Sequence, residues 1–182
     1  MKDLSLNLLD IAENSVKAGA TLTKLLLTLE GDTLTFQVVD NGKGMTEEVL
    51  KGVVDPFYTT RTTRKVGLGL PLLRMAAEMT GGSMTVESRH RDAHPDDHGT
   101  AVTAVFYTDH IDCPPVGDVV ATVTTLIQGH PDTDFLFRHA WGETAVELDT
   151  RTLREVLGEV SLAEFEVLQW ISGFLTDQYT GQ

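Results

Sequence analysis

The first forty residues constrain the fold most. Leu4, Leu8, Ile11, Ala12 and Ser15 recur at helical spacing on one face, which predicts a helix over residues 3 to 18, and Gly19 stops it. Two runs follow, TLTKLLLTLE and TLTFQVVD, joined by Gly31-Asp32. Short apolar runs around such a dipeptide read as a β-hairpin, so the chain begins with a helix and an antiparallel strand pair. The glycine-rich NGKGM comes next, and Thr46, Glu48 and Val49 start a short helix that ends before Pro56. Residues 58 to 66 are polar and basic without periodicity and read as a loop. Leu70, Leu73, Met75, Ala77 and Met79 predict a helix that stops at Gly81-Gly82. SMTVESR and TAVTAVFY are strands around a polar loop of Asp, His and Pro.

The character changes after Asp112-Cys113-Pro114-Pro115. The double proline marks a boundary, giving an expected domain over 1–108, a linker over 109–115 and a small acidic α/β unit over 116–182. Within that unit helices are expected near 116–129, 150–158 and 161–176, with strands near 133–139 and 143–148. Leu162, Phe165, Leu168, Ile171 and Leu175 form one apolar face of the last helix. Trp141 and Trp170, with Phe135, Phe137, Phe165 and Phe174, are expected as the core of the unit. Of the net charge of −13, −3 lies in residues 1 to 108 and −10 in 109 to 182. So acidic a tail repels a phosphate backbone, which argues against nucleic acid as partner. No apolar run approaches the roughly 20 residues of a membrane span. Cys113 is the only cysteine, so no internal disulfide can form. Together with the absence of a signal-peptide pattern at the start, this leads to the expectation of a cytoplasmic protein.

Four motifs carry the chemistry. In DIAENSVKAGAT, Asp10 and Asn14 are four apart and Asn14 and Lys17 three apart, so all three project from one side of the helix, away from its apolar stripe. An amide oxygen is a hard ligand for Mg²⁺ and a lysine a point charge for phosphate. In VVDNGKGM, Asp40 ends a strand where its carboxylate can accept from the amine of adenine, and Gly42 lets a base approach the backbone. In DPFYTTRTTRKVGLGLPLL, Gly67 and Gly69 flank Leu68 at a helix start, where unpaired amides bind phosphate. Arg61, Arg64 and Lys65, in a loop rich in threonine, add charge for a lid over it. In HGTAVTAVF, Thr100 opens a strand.

In order and spacing these motifs resemble the N box, G1 box, F box with G2 box, and terminal GT strand of the GHKL (Bergerat-fold) ATPase superfamily. ENSVKAGAT and VVDNGKGM are similar to MutL, whereas DPFYTTR, GLGL and MTGGSMTVES look more like the histidine-kinase catalytic domain. The resemblance implies a two-layer α/β sandwich, a mixed and mostly antiparallel sheet with helices on one face. It implies ATP and Mg²⁺ as ligands, with Asn14 on the metal, Lys17 on phosphate and Asp40 on adenine. Gly42, Gly44 and Met45 would shape the base pocket. Phe57 would anchor the lid, Thr59, Thr60 and Arg61 would lie in it, Gly67, Leu68 and Gly69 would hold phosphate, and Thr100 would reach adenine through water.

The chain departs from the pattern twice. Where hydrolysing members carry a glutamate four residues before the N-box asparagine, this chain has Asp10, shorter by about 1.5 Å. A general base must come within about 3 Å of its proton carrier, so Asp10 is a candidate general base of short reach and slow hydrolysis is expected. Glu13 points about 100° away and is expected to pair with Lys17 or solvent. No acceptor hairpin precedes the N box, and none of the six histidines is followed by an acidic residue. If the protein phosphorylates anything, the acceptor is therefore expected on another chain. Two functions stand: a kinase acting in trans on a protein partner, or hydrolysing ATP slowly, and an ATP-gated interaction module without phosphotransfer. His90, His94 and His98 are read as a solvated loop, since Pro95 spoils the helix that would align them on a metal.

Overall fold

A computed structural model describes residues 3–53 and 68–181. Phe57, Thr59, Thr60, Arg61, Arg64, Lys65 and Gly67, with the expected lid over 58–66, lie outside these residues. The elements run α1 (Leu4–Lys17), β1 (Leu22–Glu30), β2 (Thr33–Asp40), α2 (Glu47–Val53), α3 (Gly69–Met79), β3 (Ser83–Arg89), β4 (Gly99–Tyr107), α4 (Val119–Gly129), β5 (Asp134–Trp141), β6 (Thr144–Asp149), α5 (Thr150–Leu157) and α6 (Phe165–Thr180). One six-stranded sheet has the order β3-β4-β2-β1-β5-β6. All its pairs are antiparallel except β1 with β5. The mixed, mostly antiparallel α/β fold expected from the motifs is the fold found.

Alternation along the strands sets the layers. Leu25 and Leu27 of β1 lie across from Val38 and Phe36 of β2, which lie across from Val102 and Ala104 of β4. All six are buried on one face, against a helical layer that includes the α1 stripe of Leu4, Leu8, Ile11 and Ala12. The hairpin turns at Gly31, whose φ of 59° suits glycine.

The sheet does not stop where the sequence changes character. Residues 116–182 are α/β in content, but their strands extend the first sheet, with β5 parallel to β1, placing Phe135 beside Thr23 and Phe137 beside Leu25. Phe135, Phe137, Val146 and Leu148 belong to the same core cluster as α1 and the hairpin. The expected linker is docked rather than loose. The first amides of α1 have no partner within the helix, and the carbonyls of Pro115 and Val116 accept from Leu4 N (2.9 Å) and Ser5 N (2.8 Å). Gly117, at φ 83°, allows this approach: a Cβ there would sit 2.4 Å from Asp3 Cγ. Thr122 of α4 then donates to the Ser5 carbonyl at 3.1 Å.

The aromatic core expected in this unit is half right. Phe135 and Phe137 are buried, but Phe165, Trp170 and Phe174 are exposed. At about 100° per residue, the face of α6 turned inward is Val167, Leu168, Ile171 and Leu175, and the three aromatics fall off it. Edge strand β6 is closed by Gln178, whose side-chain amide donates to the Glu147 carbonyl and accepts from its N–H, both at 3.0 Å.

His139 and Trp141, on the covered face of β5, meet Tyr179 of α6. The Tyr179 hydroxyl lies 2.8 Å from His139 Nδ1, and the Tyr179 ring stacks on Trp141 at 5.9 Å and 7°. Burial pushes the His139 imidazole below its ordinary value and the Tyr179 phenol above its own. A histidine depressed in the folded state binds its proton more readily when unfolded, so its contribution is present above the ordinary histidine value of about 6.5 and is lost as pH falls below it. We expect the melting temperature to fall between pH 7 and pH 5, and His139→Gln, which keeps an acceptor for Tyr179, to make that fall smaller. Identical pH slopes in the two proteins would exclude His139 as a contributor.

Candidate functional site

A row of polar side chains crosses the covered face of the sheet at one end. Thr23, Asp40, Thr100 and Ser88 are successive cross-strand partners on β1, β2, β4 and β3. The next row inward, Leu25, Val38, Val102 and Val86, is apolar. Polar groups thus meet hydrophobic walls beneath α1.

Asp40 is held in a fixed orientation. Its Oδ2 accepts from the Ser15 hydroxyl at 2.6 Å and its Oδ1 from the Gly42 amide at 2.9 Å. A carboxylate has about four acceptor sites, so two donors leave it able to receive another. Ser88 Oγ accepts from Met45 N at 2.7 Å and lies 2.8 Å from Thr100 Oγ1, which ties the loop after β2 to the start of β4. The ring of His98 contacts the Gly42 carbonyl through Nδ1 and fastens the same loop from the other side.

The glycines of this loop are needed for packing. A Cβ on Gly44, at φ 73°, would sit 2.0 Å from the Arg89 carbonyl oxygen, and one on Gly42 would meet Ala18 Cβ at 2.9 Å. The sequence leads one to expect that Gly42 admits a base to the backbone. In the structure the absent side chain also makes room for the end of α1, where Lys43 N donates to the Ala18 carbonyl at 2.9 Å. Gly99, at φ 144°, approaches β2 equally closely, a Cβ there lying 2.0 Å from the Asp40 carbonyl oxygen.

These elements enclose a cavity of about 390 Å³, within the range of small-molecule sites. Its apolar walls are Ile11, Met45, Val49, Val53, Leu70 and Val102, and its polar groups are Asn14, Ser15, Lys17, Asp40, Lys43 and Thr100. Of the residues singled out from the sequence, Asn14, Lys17, Asp40, Gly44, Met45 and Thr100 come together in this lining. Gly42 stands behind Asp40. Gly69 begins α3, whose preceding Leu68 makes no side-chain cap, and a Cβ on Gly69 would lie 3.7 Å from Asp10 Cβ. Asp10 is thus an exposed neighbour of the α3 N-terminus and not one of the lining residues.

Sequence reasoning missed Ser15, Ser88, Lys43 and His98. Ser15 reads from the sequence only as part of the buried stripe; a hydroxyl in an otherwise apolar stripe is the available signal for a buried acceptor nearby. Ser88 carries no local signal, because its partners are 43 and 12 residues away. Glu13, expected to pair with Lys17 or solvent, instead has its Oε2 2.8 Å from His130 Nε2 at the end of α4. That contact needs α4 packed on α1, which helical spacing cannot reveal. Among the described residues no group of three or more His, Cys, Asp or Glu is placed to hold a metal, and His98 of the histidine-rich loop is turned to Gly42.

The donor set suits a flat heterocycle carrying an amine, with phosphates. Asp40 offers a fixed acceptor, the apolar residues offer ring-sized walls, two lysines offer positive charge, and the Asn14 amide offers a hard oxygen of the kind Mg²⁺ accepts.

The family model described as "Histidine kinase-, DNA gyrase B-, and HSP90-like ATPase" matches residues 2–110. Sporulation kinase D of Bacillus subtilis (strain 168) is 34% identical over 99 residues, 53% of this chain and 18% of that kinase. Sporulation kinase E of the same organism is 34% identical over 88 residues, 48% of this chain and 12% of that kinase. The chain therefore spans less than a fifth of the length of either. Among solved structures, the Aquifex aeolicus MutL ATPase domain complexed with ADP aligns with a TM-score of 0.54 at 15% identity, covering 86% of this chain and 69% of that one. Since the family match ends at residue 110, that likeness in fold takes in much of the C-terminal part as well.

Proposed function

Because the chain belongs to the histidine kinase-, DNA gyrase B- and HSP90-like ATPase family, we propose that it binds Mg²⁺-ATP in the cavity under α1 and passes the γ-phosphate to a protein partner in trans, or slowly to water. The observation that carries this reading is Asp40, held by Ser15 and Gly42 with acceptor capacity to spare, in a cavity that also presents Asn14 and Lys17. Asp40 takes the adenine amine, Met45 and the aliphatic walls hold the ring, and Thr100 serves the same edge of the base through water. Lys17 meets phosphate, and Gly69 with Leu68 presents the uncapped start of α3 to it. Gly67, Phe57, Thr59, Thr60 and Arg61 complete the phosphate side in this proposal. A Mg²⁺ ion on Asn14 would neutralise phosphate charge. Its setting is the cytoplasm; among the described residues no helix is long and apolar enough to cross a membrane.

Asp10 decides whether the protein is an enzyme by itself. Release of γ-phosphate from ATP is to be measured for the wild type and for Asp10→Glu and Asp10→Asn, alone and with candidate partners. Asp10→Glu restores one methylene of reach, and turnover is expected to rise about tenfold or more, a barrier change of roughly 1.4 kcal/mol. If Asp10 is the working base, Asp10→Asn should abolish hydrolysis while ATP binding persists; if it only supports the Mg²⁺ ion, binding and hydrolysis should weaken together. No rise with glutamate and no phosphate transfer to any partner would leave ATP-gated interaction as the function.

A further inference from the structure

Helix α6 turns two large aromatic rings to the outside. Trp170 is 51% exposed and Phe174 37%, and their rings stack on each other at 4.8 Å between centroids and 11° between planes. Gly173 lies beside them on the helix surface, and a Cβ built there meets nothing within 4 Å, so the helix backbone next to the rings is open. Exposed aromatics grouped in this way, in place of scattered apolar side chains, are what protein interfaces use as anchors. The inward face of α6 fills the core with Val167, Leu168, Ile171 and Leu175, and neither ring is among the buried residues of the helix.

Charge says what kind of partner fits. Glu166 precedes Trp170 by four residues and Asp177 follows Phe174 by three, so both acids share the stripe of the rings, at either end, about 16 Å apart along the axis. The helix contains no lysine, arginine or histidine. Arg138, Arg151 and Arg154 are the only Lys or Arg residues of 109–182, and they are paired with Glu147, Asp149 and Asp134. Among the described residues neither Glu166 nor Asp177 has an ion-pair partner. A second copy of the chain laid on this face would bring acids against acids, and anionic lipid or nucleic acid would be repelled for the same reason.

We propose that the outer face of α6 is a docking surface for a protein segment whose apolar anchor is bracketed by lysine or arginine, such as a basic amphipathic helix. The surface lies beyond the residues matched by the ATPase family and goes beyond the nucleotide reading, on which it does not depend. Trp170 and Phe174 take the anchor between them and the open flank of Gly173, while Glu166 and Asp177 pair with the cations and set its register.

The test uses the full chain and a fluorescent synthetic amphipathic helix with a leucine face bracketed by lysines, next to a control with every lysine replaced by glutamate. Anisotropy should show the lysine peptide binding the wild type and weakening at high salt. Affinity should fall about tenfold or more in Trp170→Ala/Phe174→Ala, equivalent to roughly 1.4 kcal/mol. Neither ring is among the buried residues of the helix, so a cooperative melting curve and a folded far-UV spectrum are expected to accompany the loss. Glu166→Lys/Asp177→Lys should exchange preference toward the glutamate peptide. The proposal is overturned if the lysine peptide does not bind the wild type, if it binds the ring-deleted variant equally, or if the charge-reversed variant keeps its original preference. Sedimentation showing a dimer that the ring deletion disperses would overturn it in favour of a second copy.

Discussion

Phe137→Ala is expected to lower the stability of the whole chain by about 3–5 kcal/mol and to unfold both halves in one transition. Phe137 is fully buried, pairs in parallel register with Leu25 of β1, and lies across from Leu148 of β6. Removing its ring opens a cavity in the core cluster between the sheet and the helices that cover it, which α1, the hairpin and the C-terminal elements share. Against a typical total of about 5–15 kcal/mol, such a loss is large. Circular dichroism should report one transition, shifted to lower temperature, and fluorescent-nucleotide binding should be lost in the same interval. Two separate transitions, with nucleotide binding persisting through the first, would instead mean that residues 1–108 and 116–182 fold independently.

Asp40→Asn is expected to weaken ATP binding by about 1–3 kcal/mol, roughly five- to 150-fold, while leaving the fold intact. The structure supplies the second half of that expectation. An asparagine can keep its oxygen on the Gly42 amide and present its amine to Ser15, whose hydroxyl can then donate to the Ile11 carbonyl it already approaches at 3.3 Å. The loop is thus preserved while the acceptor for an exocyclic amine is reduced. Guanine, with a carbonyl at that place, should bind the wild type poorly, since two acceptors would face each other unpaired. Calorimetry of ATP and GTP on both proteins checks this. Equal ATP affinity in the two would remove Asp40 from base recognition, whereas a lower melting temperature would show that Ser15 and Gly42 depend on the charge.

What is legible in the sequence is local. The stripe of Leu4, Leu8, Ile11 and Ala12 predicts both α1 and its buried face, because side chains three and four apart on a helix must share a side. Gly31-Asp32 predicts the hairpin, since a two-residue turn leaves only an antiparallel return. Asn14, Lys17, Asp40, Gly44, Met45 and Thr100 can be picked out together because the motifs that carry them have a set order and spacing, and the fold brings all six to one cavity. The acidic imbalance of the C-terminal part is likewise a matter of counting residues along the chain.

Tertiary structure alone decides what depends on contacts between distant segments. The parallel pairing of β5 with β1 joins residues more than a hundred positions apart, and no turn or repeat announces such a pairing. The same holds for the Glu13–His130 contact, for Pro115 and Val116 capping α1, and for Ser88 fastening Met45 to Thr100. Gly42 and Gly44 can be recognised as glycines that matter, but only the approach of Ala18 and Arg89 shows that packing requires them. For the aromatics of α6, composition favours the inside, and the angle at which the helix meets the core puts Trp170 and Phe174 outside. Periodicity constrains which residues share a face; which face is covered is settled only when the remaining elements compete for the same apolar surface.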